Sequence, residues 1–332
     1  MARRALVTGA GGFIGHHMVK FLKAEGYRVR GVDTKLPEYE ESDADEFELM
    51  DLREWESCRA ATTGIDEVYQ LAADMGGIGY ITAFHADIAR NNVLINAHML
   101  EAASRNGVET YFYASSACVY PMYRQTSPEV TPLVEEDAYP ADPEEGYGWE
   151  KLYSEKLCQY YTEEGRIRTS TARFHNIYGP LGTFDGGREK APAAICRKVA
   201  LAEDEGEIEV WGDGAQTRSY TYVDDCVEGI HRIAHSGRWE PLNLGTDELI
   251  SVDGLVDLVC EIAGKSLAKR HDVTKPQGVR GRNSDNSTLR SVLGWEPATS
   301  LEDGLSRTYP WIEARLVEDG RIPSPAGVGV RR

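Results

Sequence analysis

The sequence predicts an α/β fold: a doubly wound parallel sheet with a smaller C-terminal α/β domain. Three observations carry that reading. Short apolar strands alternate with helical segments through the first half, a glycine-rich turn joins the first strand to the first helix, and the alternation loosens after about residue 178. Strands separated by helices of about a dozen residues form right-handed βαβ units, which makes their strands parallel. The chain of 332 residues fits two domains or one large α/β unit.

Each element has its own justification. Residues 4–8 are a short apolar strand, and 13–25 carry Phe13, Ile14, Met18, Phe21 and Leu22 at helical spacing. Strands follow at 27–33 and 67–73, with an acidic, solvated loop expected at 38–48. A helix at 92–106 presents Val93, Leu94, Met99 and Leu100 on its apolar positions. Residues 108–114 and 167–174 read as strands around a long helix at 147–164. Beyond them, helices are expected at 192–202, 224–234, 252–263 and 301–316, with short strands near 207–211 and 241–244. The implied division is 1–178, possibly regaining short segments from the second half, then 179–320, with a frayed tail at 321–332.

Composition excludes several classes. Hydrophobic residues at 41% and charged residues at 27% are enough for a full core, so disorder is not expected. A formal net charge of -18 argues against nucleic acid and against an anionic membrane surface as partners. No apolar run approaches the ~20 residues of a membrane span, and no secretory pattern opens the sequence, so a cytoplasmic protein is expected. The six cysteines are scattered without a C-x-x-C pair, which suggests neither a zinc site nor a disulfide framework, and no metal site is expected.

The strongest chemical signal is Gly9-Ala-Gly-Gly-Phe-Ile-Gly15 between strand and helix. Gly9 permits a tight turn, Gly12 lets a pyrophosphate approach the backbone, and Gly15 lets helix pack on strand. Phe13 and Ile14 open the helix, whose free N–H groups and partial positive charge suit phosphate. This is a Rossmann-type dinucleotide turn. Asp33 lies 24 residues after Gly9, at the end of the second strand. A carboxylate there accepts ribose hydroxyls and repels a 2′-phosphate, which favours NAD. Asp51 and Leu52, between the strands at 27–33 and 67–73, are candidates for the adenine side, with a plain turn almost as good a reading. Tyr147 and Lys151, four apart on one helix, share a face. A lysine ammonium there is expected to lower the tyrosine pKa so that it serves as a base, with Ser116 binding the reacting oxygen.

These motifs, with Arg173-Phe-His-Asn-Ile-Tyr-Gly-Pro180, resemble the extended short-chain dehydrogenase/reductase family of nucleotide-sugar enzymes. The resemblance runs from about residue 5 to about residue 311. It extends through Leu71-Ala-Ala-Asp-Met-Gly-Gly-Ile-Gly-Tyr80, Tyr113-Ala-Ser-Ser-Ala-Cys-Val-Tyr-Pro121, Gly186-Gly-Arg-Glu-Lys-Ala-Pro192, Trp211-Gly-Asp-Gly-Ala-Gln-Thr-Arg-Ser219 and Val279-Arg-Gly-Arg-Asn-Ser-Asp285. Those stretches are most similar to members that invert carbons 3 and 5 of a GDP-hexose. The resemblance implies transient oxidation of carbon 4 by bound NAD, with Cys118 as base and Lys190 as the opposing acid. It implies Lys198, Arg218 and Arg282 as phosphate clamps and Asn176 as an amide donor. Gln216, Glu189 and the backbone at Gly76 would face sugar or base. A homodimer, paired through the helices at 92–106 and 147–164, is also implied. Two alternatives stay open: an epimerase-reductase acting on a GDP-4-keto-6-deoxyhexose, and a non-catalytic NAD-binding module. His175 is expected to be structural. Trp149, inside the Tyr-x-x-x-Lys spacing, departs from the family pattern.

Overall fold

A computed structural model describes residues 2–323. In chain order the strands are β1 (Arg4–Thr8), β2 (Arg28–Asp33), β3 (Glu46–Leu49), β4 (Glu67–Gln70), β5 (Thr110–Ser116), β6 (Arg168–Phe174), β7 (Ile177–Tyr178), β8 (Glu207–Trp211), β9 (Thr217–Arg218), β10 (Thr221–Tyr222), β11 (Leu242–Leu244), β12 (Ile250–Ser251), β13 (Ala268–Asp272) and β14 (Gly281–Arg282). The helices are α1 (Phe13–Ala24), α2 (Trp55–Ala61), α3 (Ile78–Ala83), α4 (His85–Arg105), α5 (Glu145–Glu163), α6 (Ala191–Leu201), α7 (Val223–Ala234), α8 (Val252–Ala263), α9 (Ser287–Leu293) and α10 (Leu301–Glu318). The expected tail at 321–332 falls mostly outside the described residues.

The central sheet has seven strands in the order β11-β6-β5-β4-β1-β2-β3, every pairing parallel. Its middle strands are buried along almost their whole length, as a sheet covered by helices on both faces requires. On one face Met18, Val19 and Leu22 of α1 and Val223, Val227 and Ile230 of α7 pack on Val7 and Phe112. On the other, Met99 and Leu100 of α4 and Cys158 of α5 pack on Leu6, Val68 and Tyr111. β7 and β10 form a two-stranded parallel pair, and β12-β9-β14 and β13-β8 form small sheets in the C-terminal half.

α2, α9, β13 and the two-residue strands go beyond the sequence expectation, and three further elements differ from it. The acidic stretch ends in a strand: β3 pairs with β2 because Arg28 and Arg30 each meet Glu46 at 2.8 Å, which neutralises a charged sheet edge. α4 begins at His85 instead of near residue 92, and α3 precedes it. The early turns of α4 bury Asn91 and Asn92, whose amides bind Asp74. Buried polar positions broke the apolar periodicity there.

One buried network fixes the sheet against the second half. Glu155 of α5 takes Arg173 Nε at 3.0 Å and Nη2 at 2.8 Å, while Arg173 Nη1 donates to the Glu135 carbonyl at 2.7 Å and to Tyr120 Oη at 3.2 Å. Tyr120 Oη donates to Asn243 Oδ1 at 2.6 Å, and His175 Nε2 lies 3.0 Å from the same oxygen. Burial pushes the His175 imidazole down to about 3, so the ring is neutral and structural, as expected. Glu155→Ala should cost about 3–5 kcal/mol, because Arg173 is left charged and unpaired in the interior. Urea unfolding checks this; a loss below about 1 kcal/mol would show that the pair is not what anchors β6.

Candidate active site

The glycine turn is built by close approach. Gly9 adopts φ +69°, and a side chain there would lie 3.0 Å from the backbone of Ala72. A Cβ at Gly15 would fall 2.0 Å from the Gly9 carbonyl, so helix and turn touch only because Gly15 has none. Gly12 caps α1 with no side-chain partner, leaving the first-turn amides, those of Phe13 and Ile14 among them, for an external acceptor. Gly11, Gly12, Phe13, His16, Lys35 and Tyr39 line a cleft beside this turn. Asp33 accepts the Gly11 amide at 2.9 Å on one oxygen and the Thr34 amide at 2.6 Å on the other, which pins the loop after β2 to the turn. The bare cradle at Gly12 and the carboxylate at the end of β2 fit a dinucleotide. Asp51 is drawn to Arg53, with Nη2 at 2.6 Å, and Leu52 is buried with its carbonyl 3.0 Å from Cys58 Sγ.

β5 delivers the second group of residues. Ser116 ends the strand, and its Oγ accepts the Cys118 amide at 3.2 Å, turning the chain sharply. α5 runs across this turn because Gly148 has no side chain: a Cβ there would meet the Cys118 carbonyl at 2.3 Å. That contact sets Tyr147 and Lys151 over Ser116 and Cys118. Lys151 Nζ donates to the Ala114 carbonyl at 3.0 Å and lies 5.5 Å from the Tyr147 ring. Trp149 points out to solvent, so its departure from the family pattern leaves this packing untouched.

The electrostatics correct one expectation. Burial, with Cys118 and Glu150 adding to it, pushes the Tyr147 phenol well above its ordinary value, and only the Ser116 hydroxyl opposes this. Lys151 is itself pulled down by burial, partly offset by Glu150. Lys151 alone therefore does not bring the phenol toward neutrality; a further positive charge is needed. Glu150 is pushed up to about 7 by burial, against hydrogen bonds from Asn92 and Asn96.

The third group surrounds Cys118. Arg282 reaches across from β14, its Nη1 3.5 Å from Cys118 Sγ, its Nη2 2.8 Å from Glu144 Oε2 and its Nε 2.6 Å from Gln125 Oε1. This guanidinium, expected among the phosphate clamps, meets three protein acceptors. Burial and Glu144 raise the Cys118 thiol while Arg282 opposes them, so the resting group is a thiol, not a thiolate. Lys190 caps α6, which Pro192 opens; burial pulls its ammonium down, and an ionised Cys118 would oppose that.

The remaining candidates come from several elements: Lys198 from α6, Arg218 from β9, and Gln216, Asn176, Glu189 and Gly76 from loops. Lys198 donates to the Glu209 carbonyl at 2.9 Å beside the Trp211 ring. Gln216 binds the Trp211 carbonyl at 2.8 Å, and its own side-chain oxygen has no partner. Arg218 binds the carbonyls of Thr217 and Val279 at 2.7 and 2.6 Å; burial, with Arg282 nearby, pulls it down to about 10. Asn176, at φ +48°, donates to the Ser219 carbonyl. Glu189 is held by Arg197 at 3.0 Å, and Gly76 is packed under the Tyr80 ring. Glu144 and Gln125 were not read from the sequence. Both sit in loops whose partners are more than 130 residues away, beyond the reach of any local pattern.

Comparison with known proteins agrees with this geometry. The chain is 48% identical over 318 residues, 95% of its own length and 83% of the relative's, to GDP-mannose 3,5-epimerase 1 of Oryza sativa subsp. japonica. It is 30% identical to the GDP-L-fucose synthase of Sinorhizobium fredii, over 92% of this chain and 94% of that one. Among solved structures, the UDP-glucuronic acid 4-epimerase of Bacillus cereus, in complex with UDP-glucuronic acid and NAD, aligns with a TM-score of 0.81 at 26% identity, covering 94% of this chain and 99% of that one. Residues 5–245 match the model of the NAD dependent epimerase/dehydratase family. With the glycine turn, the Tyr147 and Lys151 pair and the seven-stranded parallel sheet already in place, the chain belongs to that family.

Proposed function

We propose that the protein inverts carbons 3 and 5 of GDP-D-mannose, giving GDP-L-galactose, and GDP-L-gulose when carbon 5 alone is inverted. The observation that carries this reading is Cys118, set on the same turn as Ser116, beneath Tyr147 and within electrostatic reach of Lys190. A simple 4-epimerase has no use for that second acid/base pair.

NAD, when bound, would supply a hydride acceptor for carbon 4 and a formal positive charge. Gly9, Gly12, Phe13, Ile14 and Gly15 would hold it at the pyrophosphate, and Asp33, Asp51 and Leu52 on the adenosine side. Tyr147 accepts the proton of the carbon 4 hydroxyl, Ser116 orients that oxygen, and Lys151 steadies the phenolate. The resulting ketone acidifies the hydrogens on carbons 3 and 5. Cys118, once its own thiol proton has passed to solvent, removes one of these protons, and Lys190 returns a proton to the opposite ring face. The lowered Lys190 pKa makes its ammonium a readier proton donor. Arg218, Lys198 and Asn176 would hold the diphosphate, with Gln216, Glu189 and the Gly76 backbone nearer sugar and base.

Incubation of GDP-mannose with the protein in deuterated solvent should yield GDP-L-galactose with deuterium at carbons 3 and 5, GDP-L-gulose with deuterium at carbon 5, and no net NADH. Stoichiometric NADH, or deuterium at neither carbon, would refute the reading. Turnover only of a 4-keto-6-deoxy sugar with NADPH would move it to the epimerase-reductase that the more distant fucose synthase relative represents.

The working unit is a homodimer in this reading. Trp149, Tyr153 and Tyr160 stand exposed on α5, and Leu94 is exposed on the neighbouring α4. Aromatic side chains bury roughly 150–250 Å² each, so such a stripe is costly to leave in water. Light scattering should give twice the chain mass, and Trp149→Glu with Tyr153→Glu should give the monomer. A wild-type monomer at micromolar concentration would exclude this assembly. A cytoplasmic setting is the matching assignment, since the mechanism needs a free Cys118 thiol; among the described residues no helix is long and apolar enough to cross a membrane.

A further inference from the structure

We propose that Glu144 and Gln125 are positioning residues that hold the Arg282 guanidinium against the Cys118 sulfur and act on that thiol in opposite electrical directions. The three side chains come from the loop before α5, the loop after β5 and the end of β14, and all are buried: Glu144 7%, Gln125 1% and Arg282 5% exposed. Gln125 is locked in orientation, because its Nε2 donates to the Tyr120 and Pro121 carbonyls at 3.1 Å each, leaving Oε1 for Arg282 Nε at 2.6 Å. Its own backbone carbonyl takes the Arg280 amide at 2.9 Å, which grafts the loop onto the start of β14. Gly281 makes that approach possible: a Cβ there would lie 2.3 Å from the Ser127 carbonyl. Glu144 is tied from the other side, its amide donating to the Cys118 carbonyl at 2.9 Å and its carboxylate taking Arg282 Nη2 at 2.8 Å. With Nε and Nη2 fixed, Nη1 has one place to go, 3.5 Å from Cys118 Sγ.

The two anchors differ in charge. Gln125 is neutral, so its whole effect on the thiol passes through where it keeps Arg282. Glu144 is an anion: burial raises its carboxyl, but the Arg282 charge and hydrogen bond outweigh that and hold it ionised. It therefore opposes thiolate formation directly while helping to orient the cation that favours it. The other charged or titratable groups that face the sulfur are Tyr147 and Lys151 of α5, Lys190 at the start of α6 and Arg218 of β9. A thiol held this way stays protonated at rest, and becomes a strong base once its proton leaves.

Only the word base rests on the function proposed above; the positioning itself is testable without substrate. The measurement is the pH dependence of Cys118 alkylation by iodoacetamide, read by peptide mass spectrometry on the full-length chain with NAD present. The other five cysteines are buried, so labelling confined to Cys118 also reports that the fold is intact. Glu144→Gln should lower the alkylation midpoint by about one pH unit, the size expected for removing one adjacent charge. Gln125→Leu should raise it by about half a unit or more, because Arg282 is no longer held on the sulfur. Opposite shifts support the inference. A wild-type midpoint in Glu144→Gln, or shifts of the same sign in both variants, overturns it. Opposite shifts in a protein that does not turn over GDP-mannose would sink the epimerase reading and leave this one standing.

Discussion

Tyr147→Phe should lower inversion of GDP-mannose by about 10²–10⁴-fold, the range for loss of a positioned proton acceptor. The substitution keeps the ring, which packs with Ile81 and Ile88, and removes only the hydroxyl, so stability should change little. Without that oxygen the carbon 4 alcohol has no proton acceptor. No ketone forms, and the neighbouring hydrogens stay inert. Two readings should therefore fail together: no bound NADH signal in a single turnover, and no solvent deuterium at carbon 3 or 5. Deuterium entry at the wild-type rate would show that proton exchange does not wait for oxidation, and that Tyr147 is not the redox base.

Cys118→Ala should cost a similar factor in inversion but leave a different trace. The tyrosine, the lysine and the glycine turn are intact, so oxidation at carbon 4 proceeds. What is missing is the group that removes the adjacent proton. Enzyme-bound NADH should rise and then decay back through the starting sugar, with deuterium absent from carbons 3 and 5. Alanine leaves Arg282 Nη1 without its sulfur but still paired through Nη2 to Glu144, so the site keeps its charge balance. Near-wild-type inversion at carbons 3 and 5 by this variant would remove Cys118 from the mechanism.

These two side chains were legible in the sequence for different reasons. Tyr147 and Lys151 obey a local rule, four residues apart on one helix face, and the glycine turn obeys another. Cys118 has no local rule; only the family-like stretch around it marked it. What local patterns missed was long-range. Arg282 could be placed near substrate by resemblance, but its pairing with Glu144 spans 138 residues and its pairing with Gln125 spans 157. The direction of the Tyr147 shift was misread because spacing shows that Lys151 is near and says nothing of how dry the site is. β3 escaped notice because its acids look like a solvated loop until Arg28 and Arg30 are found beside them.

The placement of β11 has a consequence for how the chain acquires its shape during synthesis. β6 emerges from the ribosome about seventy residues before the strand that will cover its edge, since β11 begins only at Leu242. Until then β6 offers open N–H and C=O groups to any passing strand. Asn243, which accepts the Tyr120 hydrogen bond and donates to the Leu133 carbonyl, arrives with the same late segment. A nascent chain halted near residue 180 would hold an unfinished sheet with an adhesive flank, and a translation pause at that point would favour aggregation. Pairing strands so distant along the chain also slows folding, because the intervening loop must close before the contact returns any stability.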